Sequence, residues 1–155
     1  FFSFDIIKWM EVLAFYSDLV LRLVAAIFFG GLLGLERSVA GKTAGIRTYA
    51  LVSLGAALFV TVSDLVSNMS VGLSGFQFDP LRVASQVVVG IGFLGAGLIV
   101  FKDKKISGLT TAAGLWVAAG IGLACGFKLY ILALITSLLS LFVFIALWFL
   151  EEKVR

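Results

Sequence analysis

The stretch from Leu81 to Phe101 constrains this chain most strongly, because it is long and almost entirely apolar. Its strongly polar residues are only three, namely Arg82, Ser85 and Gln86. As a helix it would be about 30 Å long, which matches the hydrocarbon core of a bilayer. Asp79 can cap this helix, and Pro80 suits its first position, where no backbone donor is needed. The sequence therefore predicts a membrane span over residues 81–101.

Three glycines in this span, Gly90, Gly92 and Gly95, have the G-x-G-x-x-G spacing of a dinucleotide-binding loop. That motif requires a strand before it and an acidic residue about 20 positions after it. Here an apolar helix surrounds the glycines, and no acidic residue follows near position 115. We therefore assign them, together with Gly97, to close packing between helices, which small residues permit.

The composition is that of an integral membrane protein without a soluble domain. Hydrophobic residues make up 61% of the 155, charged residues only 14%, and the mean hydropathy is +1.15. The chain has no His and one Cys, which excludes a Cys/His zinc site, a disulfide framework and histidine acid–base chemistry. We expect no enzymatic activity and no cofactor, with Mg²⁺ kept open as a ligand or substrate.

The predicted fold is an all-α integral membrane protein with five transmembrane helices and an N-terminal amphipathic, interfacial helix. The interfacial assignment depends on charged residues at helical spacing within an apolar stretch, namely Asp5, Lys8 and Glu11. Arg22 lies one turn inside the first span, where it can pair with Asp18 or snorkel to the headgroups, and we favour such anchoring over a role in a ligand pathway. The predicted segments are the interfacial helix 1–18, the spans 19–35, 48–66, 81–101, 109–127 and 129–150, and the tail 151–155.

The basic residues are distributed unequally between the two sides of the membrane. One side carries eight, namely Arg37, Lys42, Arg47, Lys102, Lys104, Lys105, Lys153 and Arg155. The other side carries three, namely Lys8, Arg82 and Lys128. The positive-inside rule then predicts a cytoplasmic C-terminus and an N-terminus outside. Because the excess positive charge, +3 in total, lies in short loops beside spans, we expect the bilayer and not nucleic acid as partner.

Polar residues that could form a functional site lie at two membrane levels. The outer set is Asp64, Asp79, Arg82, Ser85 and Gln86. The inner set is Glu36, Arg37, Arg47, Thr48, Thr110 and Thr111. Two interpretations stay open for both sets: hydrogen bonding and capping between helices, or a route for a ligand or ion. We further expect Asp79 to pair with Arg82, which lies one turn later in the helix.

Small residues repeat on three predicted helix faces. The faces are Ala26, Gly30 and Gly34 in the first span; Gly90, Gly92, Gly95 and Gly97 in the third; and Gly122 and Gly126 in the fourth. Such faces let helices approach closely, and three of them exceed what a five-helix monomer needs. The sequence therefore predicts a homodimer as well as internal packing.

Four ordered blocks of sequence resemble one known family. They are GGLLGLER (30–37), AGIRTYALVSLGAALF (44–59), DPLRVASQVVVGIGFLGAGLI (79–99) and GLTTAAGLWVAAGIGLACG (108–126). These blocks resemble the MgtC/SapB family of bacterial inner-membrane proteins. The resemblance implies a small multi-pass protein linked to adaptation to magnesium limitation and, in some pathogens, to survival inside host cells. Some members also carry a cytosolic ACT-like domain, and nothing about that domain is inferred for this sequence.

Two functional hypotheses follow. We favour a protein that binds and regulates other membrane proteins, because small-residue faces are many and no acidic residue lies in the middle of a span. The alternative is a carrier or channel for Mg²⁺ or another small solute, with Asp64 and Asp79 at its outer mouth or a route made of hydroxyls, carbonyls and Gln86. Arg82 beside Asp79 argues against Mg²⁺, because it would repel the cation.

Overall fold

A computed structural model describes residues 2–69, 79–102 and 104–154 of the chain. Five helices and a two-stranded β-hairpin occur in these ranges. They are α1 (Phe2–Val39), α2 (Ile46–Met69), α3 (Pro80–Leu98), β1 (Val100–Lys102), β2 (Lys105–Ser107), α4 (Leu109–Gly126) and α5 (Tyr130–Val154). All five helices are long and apolar enough to cross a membrane. The predicted all-α protein with five transmembrane helices is confirmed.

Helix α1 is continuous from Phe2 to Val39, so no break separates the predicted interfacial helix from the first span. Its 38 residues extend about 57 Å, which exceeds a hydrocarbon core of about 30 Å. The first turns of α1 must therefore project beyond the core or tilt within it. At the other terminus, α5 continues to Val154 and includes most of the predicted tail.

The third span ends earlier than predicted. Helix α3 stops at Leu98, and the chain turns into the hairpin formed by β1 and β2. The prediction that this helix continues to Phe101 is therefore wrong. The physical reason is local, because Ile99, Val100 and Phe101 are β-branched or aromatic and favour the extended conformation that Ile99 adopts.

The core of the protein lies where α1, α2 and α4 meet. Helix α4 is the most enclosed, with ten of its 18 residues buried. The largest fully buried side chains include Leu33 of α1, Tyr49 of α2 and Leu115 of α4. Helices α3 and α5 pack on the outside of this three-helix core, α3 through Gly95 against Ala112. Most of the surface of α3 and of α5 is therefore exposed and available for contact with lipid or with partner proteins.

Short connections place the polar groups at two ends of the bundle. The end that holds the α1–α2 loop, the hairpin and the C-terminus of α5 is here called the hairpin end. The end that holds the α4–α5 loop is called the opposite end. Ser38 fixes the loop at the hairpin end, because its Oγ donates to the Gly34 carbonyl and accepts from the Ile46 N–H, both at 3.0 Å.

Candidate functional site

An ion network centred on Arg22 joins three helices at the opposite end. The Arg22 side chain is buried, with 4% of its surface exposed. Its Nε donates to Asp18 Oδ2 at 3.0 Å, and its Nη1 donates to Asp64 Oδ2 at 2.8 Å and to the Gly126 carbonyl at 3.0 Å. The guanidinium therefore links α1 to α2 and to the end of α4. Sequence reasoning identified the Asp18 partner but missed the two contacts that cross to other helices.

Lys128 completes this network. Its Nζ lies 2.9 Å from Asp18 Oδ2, so two basic and two acidic side chains balance one another. Lys128 itself adopts a left-handed backbone conformation that ends α4 and turns the chain into α5. A cation that approached either carboxylate would have to compete with Arg22 or Lys128 for its oxygens. The arrangement is suited to holding helices together more than to binding a divalent cation.

The two acidic residues of the predicted outer set, Asp64 and Asp79, have different partners. No group of three or more His, Cys, Asp or Glu side chains close enough for one metal ion occurs among the described residues. Asp64 lies with Arg22, whereas Asp79 begins α3, where its Oδ1 accepts from the Leu81 N–H at 2.9 Å. The predicted cap at Asp79 is therefore confirmed.

The remaining outer residues lie along the exposed side of α3. Arg82, Ser85 and Gln86 are all exposed, and Ser85 Oγ donates to the Arg82 carbonyl at 2.8 Å. Within the described residues, the expected ion pair between Asp79 and Arg82 does not form. That expectation is wrong, because an exposed pair gains little and the Asp79 carboxylate already caps the helix.

At the hairpin end, Glu36 and Arg37 form an ion pair that lines a cavity between α1 and α5. The Arg37 guanidinium is buried and donates through Nη2 to Glu36 Oε1 at 2.6 Å. Its Cζ lies 3.9 Å from the centre of the Phe144 ring, which adds a cation–π contact. Thr110 lines the same cavity of about 830 Å³ between α1 and α5.

Tyr49 is the polar centre of the core, although the sequence patterns did not identify it. Its side chain is fully buried, and its Oη donates to the Thr111 carbonyl at 3.2 Å. Gly114 leaves room for the phenol ring, because a Cβ at Gly114 would overlap the Tyr49 hydroxyl. Thr111 is thus placed at a contact between helices, through its backbone carbonyl.

Arg47 and Thr48 do not join Glu36 and Arg37. They lie at one end of a separate groove of about 650 Å³ between α2 and α3, whose other end reaches Gln86. The floor is apolar and includes Ala56, Ile91 and Ala119. Gly55 and Gly90 lie on the two walls, and a Cβ at either position would have no atom within 4 Å. The predicted inner set of polar residues is therefore divided between two cavities and, for Thr111, the core.

Two of the three small-residue faces are used inside the chain. A Cβ at Gly30 would lie 2.5 Å from Ser53 Cβ, and one at Gly34 would lie 2.6 Å from Ile46 Cα. On α4, a Cβ at Gly122 would overlap the Ser53 carbonyl oxygen, and one at Gly126 would lie 2.9 Å from the Ala57 carbonyl oxygen. Ala26 is fully buried beside them. These residues bring α1 and α4 into backbone contact with α2.

The third face, on α3, is mostly open. A Cβ at Gly95 would lie 3.7 Å from Ala112 Cβ, whereas a Cβ at Gly90, Gly92 or Gly97 would have no atom within 4 Å. All four glycines lie inside a regular helix, which confirms that they do not form a dinucleotide-binding loop. Of these four glycines, only Gly95 is therefore explained by close packing within the chain.

Known proteins resemble this chain over most of its length. A family model described as the MgtC family matches residues 23–153. YhiD of Escherichia coli strain K12, named as a candidate magnesium transporter, is 43% identical over 132 residues, which are 82% of this chain and 59% of YhiD. Protein MgtC of Salmonella typhimurium is 43% identical over 122 residues, which are 79% of this chain and 49% of that protein.

Protein MgtC of Brucella abortus is 46% identical over 104 residues, which are 67% of this chain and 40% of that protein. The chain thus spans about half the length of the curated relatives it matches. No solved structure matches it. The family match over residues 23–153 and the identity to these relatives confirm the resemblance of the four sequence blocks, and the chain belongs to the MgtC family.

Proposed function

We propose that this protein binds and regulates other membrane proteins by accepting a transmembrane helix of its partner in the groove between α2 and α3. The observation that carries this proposal is the pair Gly55 and Gly90, which line the groove and at which an added Cβ would have no atom within 4 Å. Helices associate in lipid through close van der Waals packing at small residues. A partner backbone could approach these two walls as closely as α1 and α4 approach α2.

Polar groups at the ends of the groove favour a helix over lipid chains as its occupant. Gln86 is exposed and lies about 10 Å from the start of α3, within the depth expected for hydrocarbon. An amide in contact with acyl chains alone would lack hydrogen-bond partners, which is costly. A partner helix with a Ser, Thr, Asn or Gln could satisfy Gln86, and Thr48 offers a hydroxyl at the other end.

The family relationship suggests where these partners are found. YhiD is named for magnesium transport, and we propose that this chain regulates membrane proteins that act when magnesium is limiting. We also propose that it resides in the bacterial inner membrane with its N-terminus outside and its C-terminus in the cytoplasm. The eight-to-three distribution of basic residues supports this orientation.

Site-specific photo-crosslinking in bacterial membranes tests this function. A photoreactive residue at Leu51, exposed on the groove wall, should crosslink to another membrane protein in cells grown with little magnesium. The same residue at Leu132, exposed on α5 away from the groove, serves as the matched control. Gly90→Leu should fill the groove and remove the crosslink without lowering the amount of protein, because no atom lies nearby.

Two results would contradict the proposal. Equal crosslinking from Leu51 and Leu132 would mean that the groove has no preferred protein occupant. Crosslinking of the chain only to itself would identify the predicted homodimer instead of a different partner.

Loss of growth in low magnesium for Gly90→Leu, with wild-type growth for a Leu132→Ala control, would connect the groove to the physiological role.

A carrier for Mg²⁺ or another small solute is the second candidate, and one observation favours it. The hydroxyls of Ser53, Thr61 and Ser63 on α2 are buried and make no hydrogen bond within the described residues. Together with carbonyl oxygens they could line a polar route. Saturable Mg²⁺ uptake into proteoliposomes, lost in Thr61→Val while the variant stays folded, would support the carrier and oppose the regulator.

A further inference from the structure

The hairpin between α3 and α4 presents an apolar pair that nothing in the described chain covers. Phe101 and Ile106 are paired across the two strands, so their side chains lie on the same face. Phe101 is 72% exposed and Ile106 is 59% exposed. A two-stranded ribbon of three residues on each side is marginally stable in water. The hairpin therefore needs an apolar surface against this face.

The position of the hairpin places this face at the membrane boundary. Helix α3 has 19 residues and extends about 29 Å, close to the thickness of the hydrocarbon core. Since the hairpin begins two residues after α3 ends, it starts where the hydrocarbon core gives way to the lipid headgroups.

A glycine fixes the base of the hairpin. Gly108 has φ of 88°, a left-handed conformation that other residues rarely adopt, and it caps α4. A Cβ at Gly108 would overlap the Leu98 carbonyl oxygen. The two ends of the hairpin are thus held together directly at the ends of α3 and α4. The hairpin cannot move far from the level set by these two helices.

The charge of the hairpin indicates which surface it contacts. Residues 102–105 are Lys-Asp-Lys-Lys, which carry a net charge of +2. Lys104 and Lys105 are exposed and form no ion pair within the described residues. Exposed Lys42 and Arg47 add positive charge at the same end of the bundle. Lysines beside apolar side chains at the membrane boundary are typical of segments that bind anionic lipid.

We propose that the hairpin Val100–Ser107 binds anionic phospholipid in the adjoining leaflet. Phe101 and Ile106 enter the upper acyl region, while Lys104 and Lys105 contact lipid phosphates. A contact with a soluble protein would account for the lysines equally well, but it would leave the apolar pair at a depth where lipid, not protein, is the available neighbour. The proposal is independent of the partner-binding groove, which lies between α2 and α3.

Fluorescence in proteoliposomes tests the proposal. Ile106→Cys, in a Cys125→Ala background, would carry an environment-sensitive fluorophore. Thr43→Cys, exposed in the α1–α2 loop at the same end, is the matched control. In vesicles containing phosphatidylglycerol we expect severalfold stronger quenching by shallow brominated lipids at position 106 than at position 43, and weaker quenching by aqueous iodide.

The dependence on lipid charge distinguishes binding to anionic lipid from insertion of the apolar pair into any bilayer. Lys104→Gln combined with Lys105→Gln should make the quenching at position 106 equal in phosphatidylglycerol and phosphatidylcholine vesicles. Exposed lysines can be replaced in this way without unfolding the protein. Equal quenching at position 106 in both lipids with the lysines intact would overturn anionic-lipid binding. So would protection from both quenchers, which would indicate a protein contact. Phe101→Trp, compared with wild type, repeats the depth measurement without a label.

Discussion

Replacing Arg22 with Met tests whether the ion network at the opposite end holds α1, α2 and α4 together. Met retains a long flexible side chain that can fill the space of the aliphatic part of Arg22, but it removes every hydrogen bond of the guanidinium. The substitution also leaves Asp64 Oδ2 and the Gly126 carbonyl without the guanidinium that donates to them. We therefore expect Arg22→Met to lower the free energy of unfolding.

The magnitude follows from the contacts and their exposure. Two hydrogen bonds of Arg22 cross between helices, and such bonds within membranes contribute about 0.6 to 1.7 kcal/mol each. Removing one member of a fully buried ion pair costs about 3 to 5 kcal/mol. Here the carboxylate side chains of Asp18 and Asp64 are 31% and 34% exposed, so water partly replaces the lost cation. We therefore expect Arg22→Met to lower the free energy of unfolding by about 2 to 3 kcal/mol, at or below the lower limit of the cost for a fully buried ion pair.

Reversible unfolding by dodecyl sulfate in mixed micelles measures this difference. Arg82→Met is the matched control, because Arg82 is exposed on α3, and its effect should stay within about 0.5 kcal/mol. In the double variant Arg22→Met with Asp64→Asn, the second substitution should restore part of the loss, because it removes the unpaired charge. An effect of Arg22→Met no larger than that of Arg82→Met would refute the argument.

Three further predictions concern the capping residue, the helix contacts and the topology. Asp79→Ala should lower the free energy of unfolding by about 1 kcal/mol, whereas Asp79→Asn should stay close to wild type because Asn keeps the capping oxygen. Equal losses in the two variants would show that the charge of Asp79 matters more than its capping hydrogen bond. Gly122→Leu should prevent stable folding, whereas Gly120→Leu, two residues away and with no atom within 4 Å of an added Cβ, should preserve it, as judged by thermal unfolding of the purified variants. With Cys125 replaced by Ala, a cysteine at Met69 should react with impermeant reagents from outside and one at Lys42 from inside; the reverse pattern would invert the proposed orientation.

The spans could be predicted from the sequence because hydrophobicity alone specifies which segments cross a bilayer. The end of the third span could not be predicted in the same way. Ile99, Val100 and Phe101 are as apolar as the helix before them, so hydrophobicity does not distinguish helix from strand there. The turn depends instead on Gly108, ten residues after Leu98, which accepts the left-handed conformation and the contact with the Leu98 carbonyl.

The candidate site was harder to predict because its contacts are long-range. Arg22 is 42 residues from Asp64 and 104 residues from Gly126, and only the packing of α2 and α4 brings these groups together. An arginine one turn inside a span was equally compatible with snorkelling to the headgroups. Likewise, the glycines of α1 and α4 predicted close packing correctly, but a sequence pattern cannot tell a neighbouring helix of the same chain from a helix of a second copy.

The enclosed position of α4 has a consequence for how the protein is assembled. This helix is rich in Gly and Ala, and it is the fourth of the five to leave the ribosome. Until it arrives, α1 and α2 are paired through Gly30 and Gly34 but lack the helix that covers Ser53. Helix α3 is therefore inserted before the core has formed, while α1 and α2 still lack their contact with α4. During synthesis, an intermediate of α1, α2 and α3 would therefore leave the backbone of α2 around Ser53 without its α4 contact until α4 enters.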